Sequence, residues 1–203
     1  MMATTHVLTG VAIAAAAAAV SPEVSVVAVA AAAVGGLFPD LDLYAGHRKT
    51  LHYPVYFSVA AAIAVGIAAL GPTTLTVAGA LFLVAAAVHS VMDAFGGGLE
   101  LRPWRGTSDR AVYSHFHRQW IVPRRWIRYD GSPEDLGLAT MMALPALAVF
   151  EGPLTLGVVA LLAISATYVL IRKPMVRLSE WLVGRLPEAA LTHVPARFVE
   201  DLH

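Results

Sequence analysis

The feature that most restricts this chain is a series of six apolar runs, at about residues 7–20, 24–38, 53–70, 75–96, 137–150 and 153–171. A helix that crosses the hydrocarbon core of a bilayer needs about 20 residues, within a range of about 17–25. The third, fourth and sixth runs meet or approach that length. The first, second and fifth are shorter, which suits tilted helices, helices lengthened by their flanks, or a hairpin that does not fully cross. The breaks between them are turn-forming: "SPE" at 21–23, "GPTT" at 71–74 and "EGP" at 151–153. Pro22 and Pro153 stand where a new helix would begin, a position that suits proline. The chain is 58% hydrophobic and only 14% charged, too apolar for an ordinary soluble domain. The expected fold class is therefore all-α, a polytopic integral membrane helical bundle of about six apolar helices.

Threading the six runs alternately through a membrane puts both termini, the 39–52 connection and the 97–136 connection on one face. All 14 Lys and Arg residues fall on that face and none on the other. The positive-inside rule then makes it cytoplasmic. Trp104, Trp120, Trp126 and Trp181 share it, interleaved with arginine in "RPWRG" and "QWIVPRRWIRY", and read as anchors at the membrane–water boundary. The stretch "PMVRLSEWLVGRL" at 174–186 puts apolar and polar residues on opposite faces, as in a C-terminal amphipathic helix lying in the interface plane. The whole reads as one domain. It comprises a four-helix half over 1–98, an Arg/Trp-rich interfacial connection over 99–136, a two-helix hairpin over 137–173 and an interfacial tail over 174–203. The opening "MMATTHVLTG" has no Lys or Arg before its apolar run, so the first segment is expected to belong to the mature protein rather than to a secretory signal.

Composition also excludes chemistries. Formal net charge is zero, which argues against nucleic acid as a partner, since that binding needs a basic surface. There is no cysteine, so disulfides, iron–sulfur clusters and thiolate zinc sites are ruled out. Any metal site must be built from histidine and carboxylate.

Such residues gather on the face that carries the charge. His6 opens the first helix, and Asp40 and Asp42 close the second. His47, Arg48 and His52 lead into the third, and His89 and Asp93 lie near the end of the fourth. His89 and Asp93 are spaced i, i+4, so on a helix imidazole and carboxylate share one face and can grip one ion. His89 lies about seven residues inside the end of its run, roughly 10 Å deep at about 1.5 Å per residue. Ionisable groups at such depth are costly unless paired, and are functional candidates by default. His-plus-carboxylate ligation fits zinc or another first-row divalent ion. Asp40 and Asp42 offer further oxygen ligands, and Arg48 suits a phosphate or carboxylate on a substrate.

Plainer readings exist for each piece. His6 fits an interfacial helix start equally well, and "FPDLD" fits a helix stop with a solvated turn. Arg48 and Lys49 fit positive-inside determinants, the preferred reading for Lys49. A His89–Asp93 pair also fits a hydrogen-bonded contact between helices. His115 and His117 in "SHFH" read as interfacial loop unless a second metal recruits them. No role is assigned to His193 or His203. Four separate patches converging on one face favour a site.

At these residues the chain resembles the YdjM-like family of membrane-bound metal-dependent hydrolases. The family pattern is a His on the first helix, Gly-x-x-Pro-Asp-x-Asp closing the second, His-Arg-x-x-x-His, and His-x-x-x-Asp on a later helix. Here these are His6, "GLFPDLD" from Gly36 to Asp42, "HRKTLH" from His47 to His52, and "HSVMD" from His89 to Asp93. The order and spacings match from residue 6 to about 98. Lys49 and Leu51 replace the family's usual glycine and threonine. The family is itself similar, distantly, to zinc-dependent phospholipase C, an all-helical enzyme with a His/Asp multi-metal site.

The resemblance implies a membrane-embedded hydrolase holding one to three divalent ions, zinc first, with manganese or another transition metal as the alternative. Its metal ligands would be Asp40 or Asp42, His52, His89 and Asp93, with Asp93 a candidate bridge and His6 completing a second ion. Arg48 would steady substrate charge, and the general base would be His47 or a hydroxide on the metal. Partners would be membrane lipids and a phosphoester or lipid-like substrate at the cytoplasmic interface. The competing reading is a non-catalytic, metal-binding membrane scaffold. A small transporter ranks last, because the ionisable groups cluster at one rim rather than at the midplane.

Overall fold

A computed structural model describes residues 1–21 and 24–191. The expected helix start at Pro22, and His193 and His203, lie outside them. The described residues are mostly helical, with six substantial helices: α1 (Ala3–Val20), α2 (Val26–Leu37), α3 (Pro54–Leu70), α4 (Thr74–Met92), α5 (Pro133–Val149) and α6 (Pro153–Val183). A single turn, α7 (Glu188–Leu191), follows. Each apolar run corresponds to one helix. Three stretches, Ala3–Val20, Thr74–Phe95 and Pro153–Val183, are long and apolar enough to cross a membrane, and Pro54–Leu70 is a shorter apolar helix.

Local chemistry sets the boundaries. Ser25 and Ser132 accept hydrogen bonds from the amides of Ala28 and Asp135 at the starts of α2 and α5. Thr73 and Thr76 form a reciprocal capping box at the start of α4, each satisfying an amide that the first turn leaves unpaired. Pro54, Pro133 and Pro153 stand at first-turn positions, where no intrahelical N–H bond is lost.

Helices α1, α2 and α4 form the centre, with α3 packed on α4 and α5 on α1; α6 leans mainly on α5 and more lightly on α1. The core is built largely from alanine, with Leu8, Val11, Val29, Leu81 and Val158 filling between. Small residues let helix backbones approach closely, as membrane helices often do. The approach is close at Gly10, Gly35 and Gly36: a Cβ there would collide with the carbonyl oxygens of Ala32, Phe82 and His6 respectively.

Two elements differ from expectation. The stretch from 174 is not a separate helix, because α6 runs unbroken to Val183 with Pro174 inside it. Proline removes one backbone donor without obliging a break, and apolar helices tolerate it where neighbouring groups satisfy the freed carbonyl. The 97–136 connection, expected only as an interfacial loop, contains a short antiparallel hairpin, β1 (Val112–Ser114) with β2 (Gln119–Ile121), in register Tyr113 to Trp120. Beyond it, the amides of Arg124, Arg125 and Ile127 donate to the carbonyls of Ala94, Gly96 and Phe95. That ties the connection to the end of α4.

Candidate metal centre

The polar residues converge where α1 begins and where α2 and α4 end. Helix α2 passes directly into a 3-10 turn, Phe38–Asp42, and α4 into another, Asp93–Phe95. Asp40, Asp42 and Asp93 therefore stand on continuations of helices that are already packed together. His52 comes from the loop before α3, and His6 from the first turns of α1. His6, Asp42, His52, His89 and Asp93 are almost wholly buried, while the Asp40 side chain is 17% exposed.

Asp40, His52, His89 and Asp93 each offer one ligand atom, all within 4.8 Å of one another, a group that could hold a metal ion. His52 Nε2 lies 3.2 Å from His89 Nε2 and 3.2 Å from Asp93 Oδ2. His89 Nε2 is 3.5 Å from both Asp40 Oδ1 and Asp93 Oδ2, and His52 Nε2 is 3.9 Å from Asp40 Oδ1. A tetrahedral ion bonded at about 2.0–2.2 Å has donor–donor edges of roughly 3.3–3.6 Å, close to these separations.

The hydrogen bonds behind the two imidazoles make the fit chemical as well as geometric. His89 Nδ1 faces the Gly36 carbonyl at 2.6 Å, an oxygen that can only accept, so Nδ1 is the donor. His52 Nδ1 likewise donates to Asp42 Oδ2 at 3.0 Å. In the neutral tautomers so fixed, both Nε2 atoms present lone pairs toward each other and toward two carboxylates. Four acceptors converging in a buried space need a cation among them, a proton or a metal. An acceptor behind each ligating imidazole is the arrangement that orients metal-bound histidines.

Asp42, expected as a possible source of metal oxygens, is not part of the four-donor group and has both oxygens engaged by the 47–52 loop. Its Oδ1 accepts from His47 Nδ1 at 3.0 Å and from the Arg48 amide. Its Oδ2 accepts from His52 and from the amides of Lys49 and Leu51. This one carboxylate folds the whole 47–52 loop around itself. Arg48 sits there at a φ of +58°, whereas Lys49, at the family's glycine position, has no positive φ. The hairpin holds the loop from outside: the Tyr113 amide donates to the Arg48 carbonyl at 2.9 Å, and His115 Nε2 to the Lys49 carbonyl at 2.6 Å. Lys49 Nζ lies 4.8 Å above the Tyr113 ring. His115 is thus a loop clamp, and His117 bonds Ser114 locally.

His6 lies beside the four-donor group, not in it. Its ring stacks on His89 at 3.6 Å between centroids, its Nε2 is 3.3 Å from Asp93 Oδ1, and its buried Nδ1 has no hydrogen-bond partner. The Met1 amino group also reaches Asp93 Oδ1, at 3.1 Å. Arg48 is buried and turned inward. It donates to the Gly97 carbonyl at 2.8 Å, and its Nε approaches Asp93 Oδ2 at 3.5 Å. Its main contacts balance Asp93 and fasten the loop to the 97–136 connection.

Electrostatics follow from these contacts. Burial would raise the Asp40 carboxyl, but the hydrogen bond and charge of His89 outweigh it and hold the group below the ordinary range. Asp42 is likewise held low: burial is overcome by His47, His52 and the Leu51 amide. Burial pulls the His52 imidazole down, yet Asp42 and Asp93 carry it above its ordinary value.

Beside the group lies a groove of about 840 Å³, lined by Asp40, His47 and Arg48 together with residues of α6 between 164 and 182. Sequence reasoning did not find the Gly36 carbonyl, the role of Asp42 behind His52, or the hairpin clamp. The first two had a signal in the "GLFPDLD" motif, while the clamp had none. No family model matches the chain, and no curated protein or solved structure matches it either.

Proposed function

We propose that this chain is a polytopic membrane protein of the YdjM-like type, a metal-dependent hydrolase acting on a phosphoester or lipid-like substrate at the cytoplasmic membrane interface. The observation that carries the reading is the buried convergence of Asp40, His52, His89 and Asp93, with lone pairs directed inward by the Gly36 carbonyl and Asp42. A divalent ion there, zinc or manganese by donor type, would supply Lewis acidity toward a phosphoryl oxygen and toward water. Sidedness rests on the distribution of the 14 Lys and Arg residues.

The chain's own residues divide the remaining work. Asp42 fixes His47 through Nδ1, which leaves Nε2 to exchange a proton; His47 lines the groove with its side chain 21% exposed. This favours His47 as the general base. Arg48 sets its charge 3.5 Å from Asp93 and orients the loop through the Gly97 carbonyl. Asp40, the one partly exposed donor, stands at the mouth, where a substrate oxygen would arrive.

One observation favours the scaffold reading: a set of four protein donors matches structural metal sites, whereas catalytic sites commonly keep a position open. Hydrolysis of bis-nitrophenyl phosphate and phosphatidic acid by detergent-purified protein, with zinc or manganese, separates the two. The enzyme reading expects turnover that falls roughly 10²-fold or more in His47→Ala with metal content unchanged. Bound metal, no turnover on either substrate, and lowered thermal stability on chelation would establish the scaffold instead.

A further inference from the structure

The groove beside the metal group has the lining of a chain-binding site. One wall is a single stripe of α6, formed by Ile164, Tyr168, Arg172, Met175, Ser179 and Leu182, whose spacings of three and four keep them on one face. From Ile164 to Leu182 the stripe runs about 27 Å at about 1.5 Å per residue. The rest of the lining includes Leu41, Leu99 and Leu101, with one carboxylate, Glu100, among them. Several of these apolar side chains are strongly exposed, Leu41 at 64%, Ile164 at 56% and Leu182 at 50%. The charged groups deep in the α6 wall neutralise one another: Arg172 makes two hydrogen bonds to Asp130, at 2.8 and 3.1 Å, and the Tyr168 hydroxyl donates to Asp130 at 2.6 Å. That wall is thus long, apolar and electrically balanced, and offers no free cation for a second anionic head. The same groove is lined by Asp40, His47 and Arg48 of the metal group and its loop. The volume, about 840 Å³, falls in the range of about 300–1,000 Å³ usual for one small ligand.

We infer that this groove seats the single acyl chain of a lipid phosphate, which slides in sideways from the bilayer between α6 and the 98–101 segment, its phosphate head lying at Asp40 and His47. The inference rests on the hydrolase reading above for its head group, and narrows the substrate class to one-chain amphiphiles. Helix α6 is suited to border such an entry, because it packs on the rest of the bundle more lightly than the other long helices do.

The test is photo-crosslinking of purified protein, in micelles with chelator and again with zinc, by a lysophosphatidic acid that carries a diazirine mid-chain. Peptide mapping should place the label on the groove stripe of α6 and on 99–101. Ser179→Trp, which puts a ring into the groove, should cut labelling roughly tenfold, the order expected when several buried methylenes are excluded. Leu170→Trp, on an exposed residue outside the lining, should leave labelling unchanged. Leu182→Trp serves the same purpose should Ser179→Trp not fold. Label spread over Leu156, Val159 and Leu170, or indifferent to the tryptophan plugs, overturns the chain seat even if metal binding and hydrolysis are intact. Groove labelling in a protein with neither metal nor turnover supports the chain seat and overturns the hydrolase reading alone.

Discussion

Gly36 links two histidines, His6 beside the four-donor group and His89 within it. Its missing side chain lets α2 meet the His6 carbonyl, and its own carbonyl accepts from His89. Gly36→Ala must therefore push α1 away or rotate the end of α2, and either moves the acceptor that aims His89 Nε2. Overpacking of this kind costs about 1–3 kcal/mol, and loss of a partner behind a ligating histidine weakens metal binding by about 10–100-fold. Thermal unfolding and zinc titration of the variant should show both; native affinity with unchanged stability would contradict the close approach. At this scale most of the buried four-donor group was legible, since "HSVMD" and "FPDLD" mark Asp40, His89 and Asp93 by residue type and spacing. What separates Asp40 from Asp42 was not. Two residues apart on a 3-10 turn, they point in different directions, and only the path of the 47–52 loop decides which one is wrapped in amides.

Among the elements, hydropathy located all six helices, because every one of them carries a long apolar run between proline, glycine or serine/threonine breaks. The hairpin over 112–121 escaped notice because its strands are three residues each and their role is tertiary, clamping the Arg48 loop. Helix α6 escaped in the opposite sense, its 31 residues seemingly divided by "RKP" into two. Its stripe is pinned to the segment before α5 by Arg172 and Asp130. Burial alone would raise the Asp130 carboxyl, but the Arg172 charge and hydrogen bond, with the Tyr168 hydroxyl, hold it below its ordinary value. A depressed folded value contributes stability above the unfolded value of about 3.9 and loses it as pH falls through the folded one. Wild type and Asp130→Asn should thus differ most in melting temperature near neutral pH, with the gap narrowing as pH falls below about 3.9 and closing only below the folded value. A gap that stays constant through that window would exclude the tie as the source.

At the scale of the whole molecule, the helical bundle holds the buried Asp40, His52, His89 and Asp93 group beside a groove that α6 lines. Because the chain has no cysteine, sidedness can be read from single-cysteine variants. Asp109→Cys in the long connection should react with impermeant maleimide only in inside-out vesicles, and Glu151→Cys in the α5–α6 turn only in intact cells; the reverse pattern would invert the topology, and reaction of both from one side would break the alternating path. Whether the His/Asp group binds a metal is decided by elemental analysis of detergent-purified wild type beside the His89→Ala, Asp93→Ala double variant. Stoichiometric zinc, manganese or another transition metal is expected in the wild type, and its loss in the variant. Wild type that stays metal-free after reconstitution with divalent ions would contradict that expectation, and would leave Asp40, His52, His89 and Asp93 as a proton-bridged structural cluster.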